Sequence, residues 1–395
     1  MQVYADNAAT TRMHQTAIDT MTYHLNNTFG NPSSLYTIGQ QAKEVLETAR
    51  ADMAACFGAQ PREIYFTSGG SEADNQAIIS AARYGEKKGK KHIITTAFEH
   101  HAVLHTLAKL EKEGFEVTYL DVRKGHNVTA QQVKDAIRPD TCLVTTMYAN
   151  NEIGSVLPIK EFAKIAKAHK ITFFTDAVQA IGNVPVNVAD LGVDMLSLSG
   201  HKIHAPKGIG ALYIRNGVKL EKLVSGGGQE RAQRGGTTNT PAVVGMAKAL
   251  SMAVEQMDEN NKHIAEVRDH FVERVMNEIT DIKFNGDFEH RVPSVANFSF
   301  KYVEGEGILM LMDFNGIAVS SGSACSSGSL DPSHVLLAMG VPIEVSHGSI
   351  RFSFGKDNTI EEADYTVDKL KETIARLRTM SPLYNDKIGG GSYNV

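Results

Sequence analysis

Between residues 63 and 214, short apolar runs alternate with stretches whose apolar residues recur at helical spacing. The runs 63–68, 92–96, 116–120, 142–148, 171–176, 193–198 and 210–214 read as strands, and helical spacing falls near 71–85, 101–113, 129–137 and 159–169. That alternation predicts an α/β fold of βαβ units, with a mostly parallel seven-stranded sheet covered on both faces. Ahead of it, a helix over about 40–57 sets Ala42, Val45, Leu46, Ala49 and Met53 on one stripe. Beyond it, 242–279 reads as one long helix. There follow strand 295–301, helix 305–314, strand 317–320, a Ser/Gly loop, helix 332–339, strand 348–354 and helix 359–379. The last helix opens on a capping-box pattern, Thr359 with Glu362, and its stripe is Ala363, Val367, Leu370, Ile374 and Leu377. From Ser381 onward the chain is polar and Gly-rich, and a mobile tail is expected.

A chain of 395 residues exceeds one compact core, so two domains are expected. The larger spans 15–255; residues 1–14 and 256–395 form a smaller α+β one. Composition is that of a globular protein, 42% hydrophobic and 22% charged. A net charge of −5 gives no reason to expect nucleic acid or an anionic membrane as partner. Three widely spaced cysteines, Cys56, Cys142 and Cys325, argue against a disulfide framework and for a reducing compartment. Neither a membrane-length apolar run of about 18 residues nor a charged-then-apolar leader is seen, so a cytoplasmic location is expected.

The chemistry gathers at strand ends. The run Asp194-Met-Leu-Ser-Leu-Ser199-Gly-His-Lys202 sets a lysine just past a buried strand, as a solvated charge or as a nucleophile that forms a Schiff base. Gly69-Gly70-Ser71 between a strand and a helix is an anion cradle, or a plain cap with Ser71 and Asp74 as a capping box. Asp176 ends the strand Phe-Phe-Thr-Asp and is a buried carboxylate or a helix cap. His100, His101 and His105 cluster, without the cysteines or Glu-x-x-His context that zinc would need. Arg351 ends a strand and could grip a carboxylate with its planar fork, or be an ordinary surface arginine. Cys56 and Cys142 sit in apolar settings and read as packing thiols, whereas Cys325 lies in Ser320-Ser-Gly-Ser-Ala-Cys-Ser-Ser-Gly-Ser329, which can pack no core.

A phosphate cradle, a carboxylate and a strand-end lysine are what pyridoxal phosphate requires, and the set resembles the fold-type I enzymes that use it. The words Tyr4-Ala-Asp-Asn-Ala-Ala-Thr-Thr11, Ser199-Gly-His-Lys202 and Ser321-Gly-Ser-Ala-Cys325 narrow the resemblance to the class I, NifS/IscS-type cysteine desulfurases, from the first residues to about Leu383. The resemblance implies pyridoxal phosphate on Lys202, its phosphate held by Gly70, Ser71, Ser199 and His201 and by Thr237 of a partner subunit. It implies Asp176 at the ring nitrogen, Gln179 at the phenolic oxygen and His100 against the ring as acid–base residue. Asn151 would lie near cofactor and substrate, with Arg351 on the substrate carboxylate. L-cysteine would give L-alanine and a persulfide on Cys325. That sulfur would pass to an iron–sulfur scaffold docked at Leu377–Tyr384. A homodimer is implied. No metal ligand set is read, though Cys325 is a candidate ligand of a cluster shared with the scaffold.

The sequence departs from the family at Tyr36, where many relatives carry His. His204-Ala-Pro-Lys-Gly208 and Pro332-Ser-His-Val-Leu-Leu-Ala-Met339 are nearer the nitrogen-fixation branch. Selenocysteine lyase and other fold-type I activities are the rival enzymes. A non-catalytic sulfur carrier is the remaining rival.

Overall fold

The computed structural model describes residues 1–122, 127–321 and 332–389. The chain opens with β1 (Val3–Tyr4), α1 (Gln15–Asn27) and α2 (Thr37–Phe57). Alternation follows: β2 (Ile64–Thr67), α3 (Gly70–Glu86), β3 (His92–Thr96), α4 (His101–Lys112), β4 (Glu116–Leu120), α5 (Ala130–Asp135) and β5 (Thr141–Met147). Next come α6 (Ile159–Ala168), β6 (Thr172–Asp176), α7 (Val188–Leu191), β7 (Met195–Ser199) and β8 (Gly210–Ile214). These seven strands form one sheet in the order β2-β8-β7-β6-β5-β3-β4, parallel except at β8. Successive residues of each strand feed opposite cores. Ile94, Val144, Phe173 and Leu196 face one cluster, and Ile93, Leu143, Phe174 and Met195 face the other. A sheet buried on both faces needs such continuous apolar runs, which is why the strands were readable.

After α8 (Thr240–Glu255) and α9 (Met257–Glu278) come β9 (Ile282–Asn285), β10 (Val295–Phe300), α10 (Gly305–Phe314), β11 (Ile317–Ala318) and β12 (Ser320–Ser321). The chain continues with α11 (His334–Ala338), α12 (Ile343–Ser346), β13 (Ser349–Ser353), α13 (Ile360–Thr379) and α14 (Pro382–Gly389). An antiparallel sheet β12-β13-β10-β9 packs with α9 and α13 around Phe271, whose ring lies 4.6 Å from that of Phe352 and 5.2 Å from that of Phe354. Val3 and Ala5 join this cluster because β1 pairs with β11.

Three expectations are corrected, and one helix, α1, is added that the sequence reading did not predict. The long helix breaks at Gln256, because α8 packs on α1 and α2 whereas α9 packs on α13. Strand 317–320 is two short strands in different sheets, β11 with β1 and β12 with β13. Helix α1 buries only Ala17, so it lacks the apolar stripe that would announce it. The tail is helical from Pro382 to Gly389: Lys387 reaches Asp281, and Tyr384 packs 5.7 Å from the ring of Tyr302. Residues 390–395 lie outside the described residues. Among those described, no helix is long and apolar enough to cross a membrane.

Candidate active site

The carboxyl ends of β2, β3, β5, β6 and β7 meet at one cavity of about 270 Å³. Strand ends of an α/β sheet leave backbone polar groups there for a ligand. Lys202 follows β7 in a single 3-10 turn, and its Nζ donates to the carbonyls of Ala8 and Ala9 at 2.5 and 2.8 Å. The Asp6–Thr11 turn is therefore one wall of the site.

Opposite, α3 begins at Gly70 without a side-chain cap, so its first N–H groups are left for a ligand. Gly70 and Ser71 line the cavity. A Cβ on Gly70 would lie 2.8 Å from Val178 Cγ2, so only glycine lets the cradle close this far. The capping box read from Ser71 and Asp74 is absent. Asp74 is buried, and its Oδ1 accepts the Ser197 hydroxyl at 2.5 Å. Ser199 and His201 line the same end of the cavity, with His201 Nδ1 3.1 Å from Thr10 Oγ1. Burial first, then the Lys202 charge, depress the His201 ring to about 4, so it is neutral at pH 7.

Asp176 ends β6, buried, with Oδ1 accepting the N–H of Val178 at 2.9 Å. Burial, and then the charge of Asp176, push Asp74 well above the carboxylate range. Burial also raises Asp176, opposed by the Val178 N–H and the Lys202 ammonium. With an ammonium in reach only of Asp176, the proton settles on Asp74 and the charge on Asp176. The cavity thus presents one charged carboxylate, whose charge suits a protonated pyridine nitrogen.

His100 caps α4, its Nδ1 accepting the N–H of Ala102 at 3.1 Å, which puts the neutral ring's proton on Nε2. Burial, then Lys202, lower it to about 4. His101 and His105 stack at 4.9 Å, and His334 lies 4.5 Å from His101. Gln179 Nε2 donates to Ala8 O at 2.8 Å, and its second N–H remains for a ligand. Asn151 lines the cavity, and its carbonyl accepts from Arg351 Nη1 at 3.0 Å. Arg351 does not end a strand as expected but sits in the middle of β13, paired with β10 on one side and β12 on the other; at 2% exposed it is not an ordinary surface residue. Its Nη2 pairs with Asp6 at 2.8 Å, while Nε is buried without a partner. Thr237 is exposed and is not among the residues lining the cavity. Cys325 lies outside the described residues.

Sequence reading missed three buried acids because each depends on tertiary neighbours. Asp74 is one; Glu152 is another, hydrogen-bonded to Ser333 and pushed up to about 7 by burial. The third, Glu99, precedes His100, and its Oε1 accepts from Thr96 Oγ1 at 2.5 Å and Met147 N at 3.0 Å. Its Oε2 is buried with no partner, and burial pushes the carboxyl up to about 8. Unfolded, it would ionise near 4.5. Its protonation therefore supports the fold below that pH, and the support is lost as pH rises toward 8. Glu99→Gln keeps the Oε1 acceptor and cannot ionise. Its melting temperature relative to the parent should rise from pH 5 to pH 8; an equal difference at both would contradict this.

Lys202, Asp176, His100 and Gln179, together with the cradle in which Gly70 lies bare against Val178, have the charges and donors that a phosphorylated pyridine aldehyde would need. Residues 3–366 match the aminotransferase class-V family. A cysteine desulfurase IscS of Methanosarcina thermophila is 49% identical over 381 residues, covering 96% of this chain and 94% of its own length. A cysteine desulfurase IscS of Dictyoglomus turgidum is 50% identical, covering 96% of each. Among solved structures, a NifS-like protein superposes with a TM-score of 0.90 at 38% identity, over 95% of this chain and 100% of that one. SspA in complex with cysteine superposes at 0.79 with 36% identity, over 91% of this chain and 100% of that one.

Proposed function

The chain belongs to the aminotransferase class-V family and is a pyridoxal-phosphate-dependent cysteine desulfurase, and from that premise we propose how its residues divide the work. The observation that carries the proposal is the convergence of Lys202, Asp176, His100 and the Gly70–Ser71 cradle on one cavity. Gly70, Ser71, Ser199 and His201 would hold the cofactor's phosphate, Asp176 its ring nitrogen and Gln179 its phenolic oxygen. Pyridoxal phosphate, when bound, supplies an electrophilic carbon and a ring able to take up an electron pair.

Lys202 would hold the cofactor and would move protons at the substrate's α-carbon. Asp176, keeping its negative charge, would favour a proton on the ring nitrogen. His100, neutral with its proton on Nε2, would give up that proton and take it back beside Lys202. Arg351 and Asn151 orient the substrate carboxylate. The Cys325 thiolate would attack the substrate sulfur; the new S–S bond forms as the C–S bond breaks, the electron pair of that bond stays with the β-carbon, which is protonated, and the α-carbon regains its proton, giving L-alanine and a persulfide on Cys325.

Arg351→Lys keeps the charge but loses the planar fork. Charge-assisted hydrogen bonds are worth about 1.5–3 kcal/mol, so KM for cysteine should rise about tenfold or more while the fold is kept. Unchanged KM would remove Arg351 from the substrate site. The overall proposal is tested by stoichiometric release of L-alanine from L-cysteine by the purified holoenzyme, and fails if none appears.

The division into a domain of 15–255 and one of 1–14 with 256–395 is supported by one hydrophobic cluster drawn wholly from the smaller part, while Ala8, Val292, Val295, Val335, Leu336, Met339 and Val341 of that part pack into the larger domain's cluster. A homodimer is supported by the exposed Phe29, Leu35 and Tyr36, an apolar surface that a second copy would cover, and by Thr237, which serves no role in its own cavity. Sulfur would pass to an iron–sulfur scaffold of the NifU/IscU kind, docked where Met380 and Leu383 are exposed, with Cys325 a candidate ligand of a shared cluster. The free thiols of Cys56 and Cys142 support a reducing, cytoplasmic setting.

A further inference from the structure

The segment from Ser225 to Thr237 is held in a conformation that it would not adopt alone. Glu230, Arg231 and Ala232 are consecutive non-glycine residues with φ of 44°, 54° and 62°. L-residues avoid that region and stay there only where their surroundings impose it.

Two ion pairs do the imposing. Glu230 is buried, and its carboxylate receives both terminal nitrogens of Arg50 at 2.8 Å and the N–H of Phe66 at 2.9 Å. Arg50 also donates to the carbonyl of Ile64 at 2.8 Å. Arg234 donates from Nε and Nη2 to Glu72 at 2.9 and 3.3 Å, and Glu72 also accepts the N–H of Ser68 at 2.9 Å. Gln76 donates to the carbonyl of Gln233 at 3.2 Å. Between these anchors the segment doubles back so tightly that a Cβ on Gly235 would lie 2.6 Å from Gly226 Cα. Arg231 adds bonds to the carbonyls of Ile64 and Pro61 at 3.2 and 3.0 Å; apart from Arg50 on α2 and Pro61 just before β2, the anchors belong to one stretch, from β2 through the phosphate cradle into α3. The segment is fastened to the outside of the cradle whose inner side faces the cavity.

We propose that Arg50, Glu230, Glu72 and Arg234 are positioning residues. They fix the 225–237 segment on one subunit's cradle so that Thr237 is presented to the cofactor phosphate of the other. This rests on the reading that Thr237 acts across a dimer. Each subunit's β2–α3 stretch then serves two phosphates, its own through the inner side and its partner's through the segment fastened outside.

Breaking the buried Arg50–Glu230 pair leaves a lone buried charge and can cost the fold. The test therefore uses Arg234→Met, whose pair with Glu72 is partly exposed at 24% and 15%. Spectroscopic titration of the apo-dimer with pyridoxal phosphate, and separately with pyridoxal, reads the Lys202-linked cofactor. Both Arg234→Met and Thr237→Ala should weaken pyridoxal phosphate about tenfold and leave pyridoxal unchanged. In a hybrid of one Arg234→Met subunit and one Lys202→Ala subunit, the site with Lys202 receives an intact segment from its partner. That site should regain parental affinity. A hybrid that stays weak would overturn presentation across the dimer. If Thr237→Ala has no effect, the shared-site reading itself falls. If Thr237→Ala weakens binding but Arg234→Met does not, the positioning role alone falls.

Discussion

Lys202→Ala should lower alanine release from cysteine by at least about a thousandfold, since it removes both the covalent anchor and the proton carrier at the α-carbon. The fold should survive. Among the Nζ contacts are two carbonyls of the cavity wall, and Ala8 O keeps its bond from Gln179 when the lysine is gone. The cradle and Asp176 are held by other partners, so the variant should still bind pyridoxal phosphate, with an altered visible spectrum. Circular dichroism, the visible spectrum and an alanine assay on one preparation separate the possibilities. Turnover at the parental rate would take Lys202 out of the mechanism.

Cys325→Ala should bind cofactor and cysteine and yet release essentially no sulfur. The other two thiols are poor nucleophiles for a stated reason. Cys142 is buried in β5, donates to the carbonyl of His92 at 3.3 Å, and is pushed up to about 12 by burial. Cys56 is half-buried beside Ser251, and burial raises it as well. Only the thiolate attacks sulfur, and a raised pKa removes it at pH 7. Cys56→Ala and Cys142→Ala should therefore keep activity within about twofold, with Cys142→Ala losing some stability through the contacts it empties. Sulfide release in the presence of a reductant, assayed on all three variants, decides this; a Cys325→Ala enzyme that still desulfurates cysteine would contradict it.

The strands were legible because both faces of the sheet are buried. Pairs such as Ile93-Ile94 and Phe173-Phe174 leave no polar alternation, and glycine or polar breaks mark their ends. The cavity was legible because its groups follow those ends directly, and the motif words fixed which groups they were. What could not be read locally was set by partners distant in sequence. Asp74 looked like a cap until Ser197, on another element, took its carboxylate. Glu99 is acidic in sequence but largely protonated at neutral pH in the fold, since β3 and β5 enclose it. Arg351 read as a strand end but sits mid-strand in β13, and nothing local pointed to Asp6, which shares its fork. The helix at 382–389 depends on Tyr302 and Asp281, some eighty or more residues earlier, rather than on its own weak amphipathicity.

The central claim is that one cavity, built on Lys202, delivers the sulfur of cysteine to Cys325. The most direct measurement is a single turnover of the holoenzyme with substoichiometric ³⁵S-labelled L-cysteine, followed by alkylation without reductant and peptide mapping. The account predicts one alanine formed per sulfur bound, with the label as a persulfide on the peptide containing Cys325. Label on the peptides of Cys56 or Cys142, or alanine formed with no label on Cys325, would contradict it.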